Sequence, residues 1–583
     1  MNLLQVENIY EEFPPILGED DVIALDTELS GLKEEQLHRP HGKLASLAGS
    51  FDGKNAYIIF DDAQIQEFLD RCSKATWIFH NSTFDLAHLR RWATIPERKN
   101  MRDTMLIEKL LYSNYYDDFA LADLVRRYLK CYMSKETRKE FHNLEGAMSP
   151  DQIKYAALDV IGTWLVDKEQ QKIVEPQDMK IWNGMYNPHV WTALELGGFN
   201  LDVEAWTRLA EKNQAIVSQA EDELGQLYGH MDKKFVGRGK AKAEVDYFVP
   251  FNPASPQQVL ELFRSNGIDT ESTGDKEVSK FADNPIVRKI LDYRIAAKRV
   301  NTYGLPYLQY VEPNGKIYTS LNISQAETGR DSSSAPPLQN ILKDIEYRKC
   351  FIAGKGRKLT IYDYSGQELN EVAYVTQDPK LIEIVNSGKN AYIEIARMSF
   401  NEIVEKGNPR YIIIKGLVLG TCYGLTPYGL ARDNNVSQEV AEEMYKIFFD
   451  DFQVLAAWVK DQQKFNRGIT KTILGRKGGL HPYNAQWKNN ALNNPFQGSG
   501  GDMIKLAMKA FRNTDMYKQY YPTRDVYMVI QVHDELIINW REDLAEGGAK
   551  VHASCMNDVA NRMHPGIISR VSGGICDNWS EKG

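Results

Sequence analysis

The pattern of apolar and polar positions over about the first 180 residues fits alternating strands and helices. The segment VIALDTELSGL begins as an apolar strand and ends in acids, and KLASLAGSFDGKNAYIIF reads as two strands around a central Asp-Gly turn. ATWIFHNSTFDLAHLRRW reads as a strand and then a helix that Asn81 or Ser82 caps. A long amphipathic helix follows, opened by Ser149 and Pro150. This order predicts an α/β unit.

The pattern changes after about residue 185. Long polar helices with a basic loop between them are predicted from there to about residue 310, which suits an arm better than a compact core. Strand patterns return in GKIYTSLNI, RKLTIYDYS and VYMVIQVHDELIINW, and the stretch 378–520 is mainly helical. We therefore expect a floor of strands that a helical insertion interrupts.

Length and composition indicate a soluble protein of several domains. At 583 residues the chain is too long for one hydrophobic core, and its 43% hydrophobic and 26% charged residues are ordinary. It has no apolar run of about 18 residues and no basic leader before an apolar stretch. Its six cysteines lack metal-binding spacing. We expect a cytoplasmic monomer without a membrane segment.

The distribution of charge matters more than its total. A net charge of −9 argues against nucleic-acid binding, because phosphate contacts need lysine and arginine. Basic residues are nevertheless clustered in DKKFVGRGKAK, which contains Lys233, Lys234 and Arg238, and in DYRIAAKR. Such a run is as often a solvated surface as a binding site, so charge alone decides nothing.

Four carboxylates in the N-terminal unit have spacings that suit metal binding. Asp26 and Glu28 are two positions apart at the end of an apolar strand, so both side chains face one side. Asp85 lies one turn into a predicted helix, and Asp159 follows Tyr155 by one turn of another. Two Mg²⁺ or Mn²⁺ ions on such oxygens can activate water that Tyr155 orients, and stabilise the leaving oxygen of a phosphodiester. Each acid alone would more often be a cap or a solvated residue.

A second group of candidate residues lies in the C-terminal half. Asp363 ends one apolar strand and Asp534 lies in a hairpin-like turn between two others, which again suits two metal ions. Lys415, Leu419 and Tyr423 recur every four residues on one helix face, offering a cation for phosphate and a flat ring for a base. In isolation this face more often belongs to an amphipathic core helix with a snorkelling lysine.

These segments resemble two known families. DTE, NSTFD and YAALD, in that order, resemble the three exonuclease motifs of the DnaQ-like proofreading superfamily over roughly residues 20–170. DYSGQEL, KGLVLGTCYG and QVHDEL resemble motifs A, B and C of family A DNA polymerases, the group of the bacterial DNA polymerase I large fragment and many phage replicases. TGRDSSSAPPLQNI and NPFQGSGGDMIK resemble two further blocks of that family.

The resemblance implies a multidomain α/β plus α+β protein, in which a ribonuclease-H-like exonuclease domain precedes a right-hand polymerase domain. The expected boundaries are 1–185 for the 3′→5′ exonuclease, 186–310 for a thumb-like helical region, 311–377 for the N-terminal palm segment, 378–520 for fingers with a helical insertion, and 521–583 for the C-terminal palm segment. The implied activity is template-directed DNA synthesis with proofreading, on two Mg²⁺ ions per active site that Mn²⁺ can replace.

The resemblance also implies roles for the matching residues. The metal ligands would be Asp26, Glu28, Asp85 and Asp159 in one site, and Asp363, Asp534 and the Tyr364 carbonyl in the other, with Glu535 as a supporting acid. Lys415 would pair with the triphosphate and protonate pyrophosphate, Tyr423 would lie beside the templating position, and Glu368 would be the steric gate against a 2′-hydroxyl. Further nucleotide contacts are expected from Gln367, Tyr392, Arg410 and Leu419. DNA contacts are expected from Arg330, Gln339, Asn340, Asn493, Gln497, His533, Lys233, Lys234 and Arg238.

Three positions depart from the family pattern. The family usually has arginine four residues before the motif B lysine, but Tyr411 stands there and Arg410 lies about 100° around the helix. Tyr392 stands where many relatives have a phosphate-contacting histidine. Leu419 replaces phenylalanine or tyrosine, and tyrosine there is associated with easy dideoxynucleotide incorporation, so we expect Leu419 not to favour it.

The expected partners are primer–template DNA and deoxynucleoside triphosphates, with a replisome helicase and primase as candidates. The region 186–310 has no room for the long thioredoxin-binding insertion of some phage relatives, so that processivity factor is not expected. We also expect no 5′-nuclease domain, since the proofreading motifs begin almost at once. This favours a phage or other viral replicase, with a repair role left open.

Two other classes of protein are less compatible with these residues. A single-subunit RNA polymerase shares the fold of the catalytic half, but it has neither Glu368 nor the exonuclease motifs. A nucleic-acid binding protein with inactive sites would have lost at least one of the essential carboxylates, and Asp26, Asp159, Asp363 and Asp534 are all present.

Overall fold

The computed structural model describes residues 2–31, 42–133, 140–141, 144, 146–236, 243–464, 468–481 and 483–582. Its N-terminal region is an α/β unit, as the sequence pattern predicts. The strands of this unit are β1 (Asn2–Leu3), β2 (Asn8–Tyr10), β3 (Val22–Ser30), β4 (Lys43–Ser50), β5 (Asn55–Ile59), β6 (Thr76–Phe79), β7 (Met101–Asp103) and β8 (Cys131–Tyr132). Its helices are α1 (Ile65–Arg71), α2 (Ser82–Leu89), α3 (Thr104–Tyr112), α4 (Leu121–Leu124) and α5 (Pro150–Gln170).

Six of these strands form one sheet in the order β2-β5-β4-β3-β6-β7. β3 pairs parallel with β6 and antiparallel with β4. Its alternating side chains divide between two cores, with Ile23 and Leu25 packed near Phe68 on one face and Ala24 near Val160 of α5 on the other. The even-numbered positions of β3 therefore face α5.

The next region is mainly helical and includes a hairpin. Its elements are α6 (Pro176–Ile181), α7 (Asn187–Leu194), β9 (Phe199–Leu201), α8 (Val203–Tyr228), β10 (His230–Val236), β11 (Ala243–Val249), α9 (Pro256–Ser265), α10 (Asp275–Val278) and α11 (Pro285–Tyr303). Helices α8, α9 and α11 enclose their own core, which includes Val217, Phe263 and Ile290. The basic segment that we expected as a loop begins within β10, because HMDKKFV pairs antiparallel with AEVDYFV.

Short strands and then a helical region follow. The first group is β12 (Lys316–Ile317), β13 (Ser320–Asn322), β14 (Ser332–Ser334), α12 (Ile345–Lys349), β15 (Phe351–Ile352) and β16 (Arg357–Tyr364). The helical region is α13 (Gln367–Thr376), α14 (Pro379–Asn386), α15 (Ala391–Phe400), α16 (Pro409–Thr421), α17 (Pro427–Asn434), α18 (Gln438–Asp451), α19 (Gln453–Gln462), β17 (Ile469–Lys471), β18 (Lys477–Gly479), α20 (Trp487–Asn493), α21 (Ser499–Arg512) and α22 (Asp515–Tyr520). Among the described residues, no helix combines the length and apolar character needed to cross a membrane.

The last elements complete the predicted strand floor. They are β19 (Val526–Val532), β20 (Glu535–Arg541), α23 (Ala545–Met563) and β21 (Val571–Cys576). The sheet has the order β19-β20-β16-β21, and all its neighbours are antiparallel. Alternation on β16 sends Leu359 and Ile361 into one core and Tyr364 into another with α23. Asp363 shares the face of Leu359 and Ile361.

Candidate active sites

Three of the predicted exonuclease carboxylates converge at one end of β3. Asp26 and Glu28 lie on the face that α5 covers, and Asp159 projects from α5 itself. One carboxylate oxygen from each of the three lies within 4.8 Å of the other two. Tyr155 lies one turn before Asp159, half-buried, with its ring centroid 5.9 Å from that of Phe141. The spacing of these residues thus translates directly into a cluster of oxygen donors.

The fourth predicted carboxylate, Asp85, is buried beside this cluster but does not belong to the group of three. Its Oδ1 accepts hydrogen bonds from the Thr27 backbone N–H at 2.9 Å and from Thr27 Oγ1 at 2.8 Å. Burial raises the pKa of Asp85 well above its usual value, and the negative charge of Asp26 raises it further. Asp85 therefore tethers α2 to β3, and its role as a metal ligand stays a prediction.

The start of α2 is held differently from our expectation. Asn81 occupies the N-cap position with a left-handed φ of 76°, but its side chain makes no capping hydrogen bond. The carboxylate of Asp103, at the end of β7, accepts instead from the backbone N–H groups of Asn81 at 3.1 Å and Ser82 at 2.6 Å. A neighbouring strand supplies the cap, which sequence reasoning could not detect because the residues are distant in the chain.

Sheet register assembles the second carboxylate site. Asp363 on β16 lies opposite Glu535 on β20 and opposite Ser572 on β21. Directly opposed residues of antiparallel strands share a face, so the three side chains meet. Asp534 lies in the tight turn between β19 and β20, next to His533, which has a φ of 60° and is exposed. The Tyr364 backbone N–H donates to the Asp534 carbonyl at 3.3 Å.

Two residues that sequence reasoning missed contact Asp363 in this site. Ser572 Oγ donates to Asp363 Oδ1 at 2.7 Å, and Lys582 Nζ lies 2.5 Å from Asp363 Oδ2. Burial raises the pKa of Asp534, and the nearby charge of Asp363 raises it further. Glu535 is nearly fully buried, and its role as a supporting acid stays a prediction. The missed residues carry no motif of their own, since only the pairing of β21 with β16 brings them here.

Glu368 lies at the first turn of α13 among its predicted neighbours. Gln497 Nε2 donates to Glu368 Oε1 at 3.2 Å. Burial raises the pKa of the Tyr423 hydroxyl, and the adjacent Glu368 carboxylate raises it further. Gln367 points the other way, because its Nε2 donates to the Gly500 carbonyl at 3.4 Å. The structure thus groups Glu368, Tyr423 and Gln497 but directs Gln367 into the protein.

Helix α16 presents the predicted phosphate-binding lysine to solvent. Lys415 is exposed, and its Nζ lies 5.6 Å from the centroid of the Tyr392 ring. Tyr392 packs edge-on against Tyr411, with centroids 6.0 Å apart, and burial raises its pKa. Leu419 is half-buried one turn further on. The structure therefore brings Lys415 and Tyr392 together at one surface.

Arg410, a predicted nucleotide contact, has another partner in this structure. Its guanidinium forms hydrogen bonds of 2.7 Å to both carboxylate oxygens of Glu402, and its Cζ lies 5.8 Å from the centroid of the Phe400 ring. The one-residue displacement from the family position turns it toward this pair. A phosphate contact by Arg410 would require the Glu402 pair to open.

The predicted DNA contacts differ in how available their polar atoms are. Arg330 Nε and Asn493 Oδ1 are buried without a hydrogen-bond partner among the described residues. Gln339 is buried, and its Nε2 donates to the Gln531 carbonyl at 3.1 Å, so it supports the sheet. Asn340 is exposed, and its backbone carbonyl accepts from the hydroxyl of Tyr303.

The basic hairpin is exposed where it is described. Lys233 and Lys234 lie on β10 at the surface, and Lys234 Nζ lies 4.8 Å from the centroid of the Tyr247 ring. Arg238, predicted with them, lies outside the described residues. The carboxylates of both sites belong to other elements than this hairpin.

Comparison with known proteins agrees with this geometry. The sequence profile of DNA polymerase family A matches residues 221–581, more than half of the chain. The chain belongs to DNA polymerase family A. A 3′-5′ exonuclease profile matches residues 5–175, which contain the cluster around Asp26. Both family predictions and the predicted order of domains are confirmed.

Named relatives are bacterial. DNA polymerase I of Aquifex aeolicus is 26% identical over 572 residues, covering 91% of this chain and 92% of that protein. The thermostable DNA polymerase I of Thermus thermophilus is 29% identical over 419 residues, so the chain spans only about half of that relative, 47%. These relatives give no support to our expectation of a phage or viral source.

A solved structure shares the fold. It is described as the POL domain of Pol1 from M. smegmatis in complex with DNA primer-template and dNTP. The TM-score is 0.78 at 22% identity, over 99% of this chain and all of that one. The likeness shows that the fold extends over almost the whole chain, and the two family profiles identify its N-terminal and C-terminal parts.

Proposed function

We propose that the chain is a template-directed DNA-dependent DNA polymerase with a 3′→5′ proofreading exonuclease. The observation that carries the proposal is the presence of two separate carboxylate sites in one chain. One is the group of Asp26, Glu28 and Asp159 within 4.8 Å, and the other is Asp363 beside the Asp534 turn. Relatives named DNA polymerase I, and a neighbour solved with primer-template and dNTP, support the same activity.

The donor chemistry of both sites fits Mg²⁺, with Mn²⁺ as a substitute. Asp26, Glu28, Asp159, Asp363 and Asp534 offer hard carboxylate oxygens, which Mg²⁺ prefers over nitrogen or sulfur donors. Asp26, Glu28 and Asp159, with Asp85 alongside, would hold ions in one site, and Asp363, Asp534 and the Tyr364 carbonyl in the other. Bound there, two ions lower the pKa of the attacking oxygen and stabilise the charge on the leaving group.

In the polymerase site the chain's own residues position the nucleotide. The exposed ammonium of Lys415 is available to pair with the triphosphate and to donate a proton to pyrophosphate as it leaves. Glu368, which accepts a hydrogen bond from Gln497, is the proposed steric gate against a ribose 2′-hydroxyl. Tyr423, whose hydroxyl feels the charge of the Glu368 carboxylate, is the proposed residue beside the templating position. Arg330, Asn493 and His533 are the proposed contacts to primer and template.

In the exonuclease site the chain positions water instead. Tyr155 lies one helical turn before Asp159, so its hydroxyl can orient a water molecule toward the scissile phosphate. The Thr27–Asp85 hydrogen bonds keep α2 against β3 and so fix the wall of the site. The product of each cycle is a deoxynucleoside monophosphate and a shortened 3′ end.

We keep the expected boundaries and partners within this proposal. The thumb-like region is 186–310, the palm is 311–377 together with 521–583, and the fingers are 378–520. Primer–template DNA and deoxynucleoside triphosphates are the proposed substrates of a monomeric cytoplasmic enzyme. A helicase and a primase are candidate partners, and a thioredoxin-type factor is not proposed.

The test is an incubation of the protein with Mg²⁺ and a 5′-labelled primer–template, with and without the four deoxynucleotides. We expect extension with nucleotides and shortening from the 3′ end without them. Extension alone would contradict the proofreading role, and shortening alone would contradict the polymerase role. A matched reaction with ribonucleotides tests the RNA polymerase alternative, which predicts that they are preferred.

A further inference from the structure

Lys582 places a positive charge between two acids of the polymerase site. It follows β21 and the short helical turn Trp579–Glu581. Its Nζ lies 2.5 Å from Asp363 Oδ2 and 2.6 Å from Glu535 Oε2, so one ammonium group bridges two carboxylates. Because Asp363 and Glu535 are paired across β16 and β20, the bridge spans two strands of the sheet.

The same segment also engages the other oxygen of each acid. Ser572 Oγ donates to Asp363 Oδ1 at 2.7 Å, and Trp579 Nε1 donates to Glu535 Oε1 at 2.7 Å. All four oxygens of the two carboxylates therefore accept from residues 572–582. Trp579 fixes the segment, because its buried ring lies 5.5 Å from the rings of Phe199 and Phe351.

Burial strengthens the Coulombic attraction within this bridge compared with an ordinary surface ion pair, because less water screens the charges. The side chain of Glu535 is 4% exposed and that of Lys582 is 21% exposed. Three carboxylates, those of Asp363, Asp534 and Glu535, are crowded here, and each unpaired charge would be costly away from bulk water. Lys582 offsets one of them.

A divalent cation that bound Asp363 through Oδ2 would compete with the ammonium group for that oxygen. Mg²⁺ binds carboxylate oxygens at about 2.0–2.1 Å. A cation that close to Asp363 Oδ2 would face the Lys582 ammonium within a few ångströms, and the two like charges would repel each other. Glu535 Oε2 is not one of the proposed metal ligands. Glu535 can therefore stay bonded to the Lys582 ammonium group when Asp363 releases it.

Building on the polymerase function proposed above, we propose that Lys582 is a positioning residue of the nucleotidyl-transfer site. Its ammonium group holds Glu535 outside the pair of metal ligands and competes with the divalent cation for Asp363. Lys582 therefore moves from Asp363 to Glu535 alone when the metal binds. The charge of Lys582 thus raises the concentration of divalent cation that the site needs.

A matched control exists on the same segment. Lys358 Nζ lies 2.6 Å from Asp577 Oδ1, so it also ties this segment to β16. Asp577 is 64% exposed, and this pair lies at the opposite end of β16 from Asp363. Lys358→Met removes an ion pair of the segment without touching the site, whereas Lys582→Met removes the proposed competitor.

The experiment measures metal binding directly. Both variants and their parent carry Asp26→Asn and Asp159→Asn to remove the exonuclease metals, and free Mn²⁺ is titrated by electron paramagnetic resonance without DNA. We expect Lys582→Met to bind Mn²⁺ about tenfold more tightly than the parent, the effect of losing one charge-assisted contact. Lys358→Met should match the parent. Equal or weaker binding by Lys582→Met would overturn the proposal.

Two further measurements separate the possible failures. Circular dichroism melting identifies a Lys582→Met protein that is not folded, in which case Lys582→Gln, which keeps a donor without the charge, replaces it in the titration. Primer extension should reach half its maximal rate at about tenfold lower Mg²⁺ in the variant. A parent that extends no primer would refute the polymerase function, while the Mn²⁺ titration would still decide the role of Lys582.

Discussion

The two carboxylate sites differ in how the chain assembles them. In the exonuclease site, two of the three clustered carboxylates come from alternate positions of one strand and the third from a helix that packs on the same face. In the polymerase site, Asp363, Glu535 and Ser572 come from three strands and meet only through register. The first arrangement is visible in local sequence spacing, whereas the second depends on the complete sheet. The comparison teaches that a sequence motif can reveal where a site lies without revealing all of its charged residues.

The largest expected effect is the loss of one activity while the other is retained. Asp363→Asn should lower primer extension by about three orders of magnitude, because a lost metal ligand removes several kcal/mol of transition-state stabilisation. It should leave shortening of the primer unchanged, and Asp26→Asn should do the reverse. Labelled-primer gels measure both rates in each variant.

The control for these variants is Asp543→Asn, which changes an exposed acid paired with Arg541. It should affect neither activity. If Asp363→Asn and Asp26→Asn each lowered both activities equally, the two sites would not be independent and the comparison would fail.

How far the sequence predicts each site follows from the same difference. Asp26 with Glu28, and Asp363 with Asp534, were predicted because each lies at the end of a recognisable strand. Lys582 was not, because its contact depends on β21 pairing with β16. The orientation of Arg410 could not be predicted from the sequence either. Its ion-pair partner, Glu402, is a loop residue whose position follows from packing.

The same limit applies to the fold. The α/β order of the first unit and the presence of a strand floor were predicted from periodicity, which local side-chain alternation determines. The antiparallel pairing of that floor comes from the structure alone. The hairpin around Lys233 was expected as a loop, because its charges conceal the alternation that pairing with β11 creates. The cap of α2 by Asp103 is likewise a contact between segments distant in the chain.

A second prediction concerns selectivity in the polymerase site. Glu368→Ala should raise the relative use of ribonucleotides by about a hundredfold, because removing the carboxylate opens space for a 2′-hydroxyl. Single-nucleotide insertion kinetics with matched ribo- and deoxynucleotides measure the ratio. Gln497→Ala, which removes the partner of Glu368, should give a smaller change. An unaltered ratio in Glu368→Ala would exclude Glu368 as the gate.

A third prediction concerns water in the exonuclease site. Tyr155→Phe should slow shortening by about a hundredfold, the lower end of the effect expected for a lost acid–base group. Extension should stay the same, since Tyr155 belongs to the N-terminal unit. Single-turnover digestion of a labelled strand measures the rate. A full-speed Tyr155→Phe enzyme would remove this residue from the mechanism.

A fourth prediction concerns DNA binding outside both sites. Replacing Lys233 and Lys234 together by alanine should weaken duplex binding by roughly tenfold at low salt. The slope of log affinity against log salt should fall by about 2, one for each lost phosphate contact. Fluorescence anisotropy with duplexes of different sequence measures both. A loss restricted to one sequence would contradict a phosphate-gripping role.

The smallest expected effect is on thermal stability. It compares one buried acid in the polymerase region with one in the exonuclease region. Glu371 is buried with no hydrogen-bond partner for its carboxylate among the described residues, and burial raises its pKa from the ordinary 4.5. A raised pKa in the folded state means that stability is lost as pH rises from the unfolded pKa toward the folded one. Glu371→Gln should therefore raise the melting temperature by a few degrees at about pH 9 and less at about pH 5.

Asp85→Asn is the matched variant in the exonuclease region. Asp85 is also buried with a raised pKa, but Thr27 donates two hydrogen bonds to it. Those donors favour the ionised form of Asp85. The rise in melting temperature that Asp85→Asn gives at high pH should therefore be smaller than the rise that Glu371→Gln gives. Thermal melts at both pH values rank the two variants. A larger gain for Asp85→Asn would reverse this ranking of the two regions.

The most direct test of a proofreading polymerase is extension of a primer whose 3′ terminal base is mismatched. With Mg²⁺ and all four deoxynucleotides, we expect full-length product in which the mismatched base has been replaced, read by sequencing the product. The Asp26→Asn protein should stall or retain the mismatch. Full-length wild-type product that retains the mismatch, or no product at all, would contradict the account that both sites act on one DNA end.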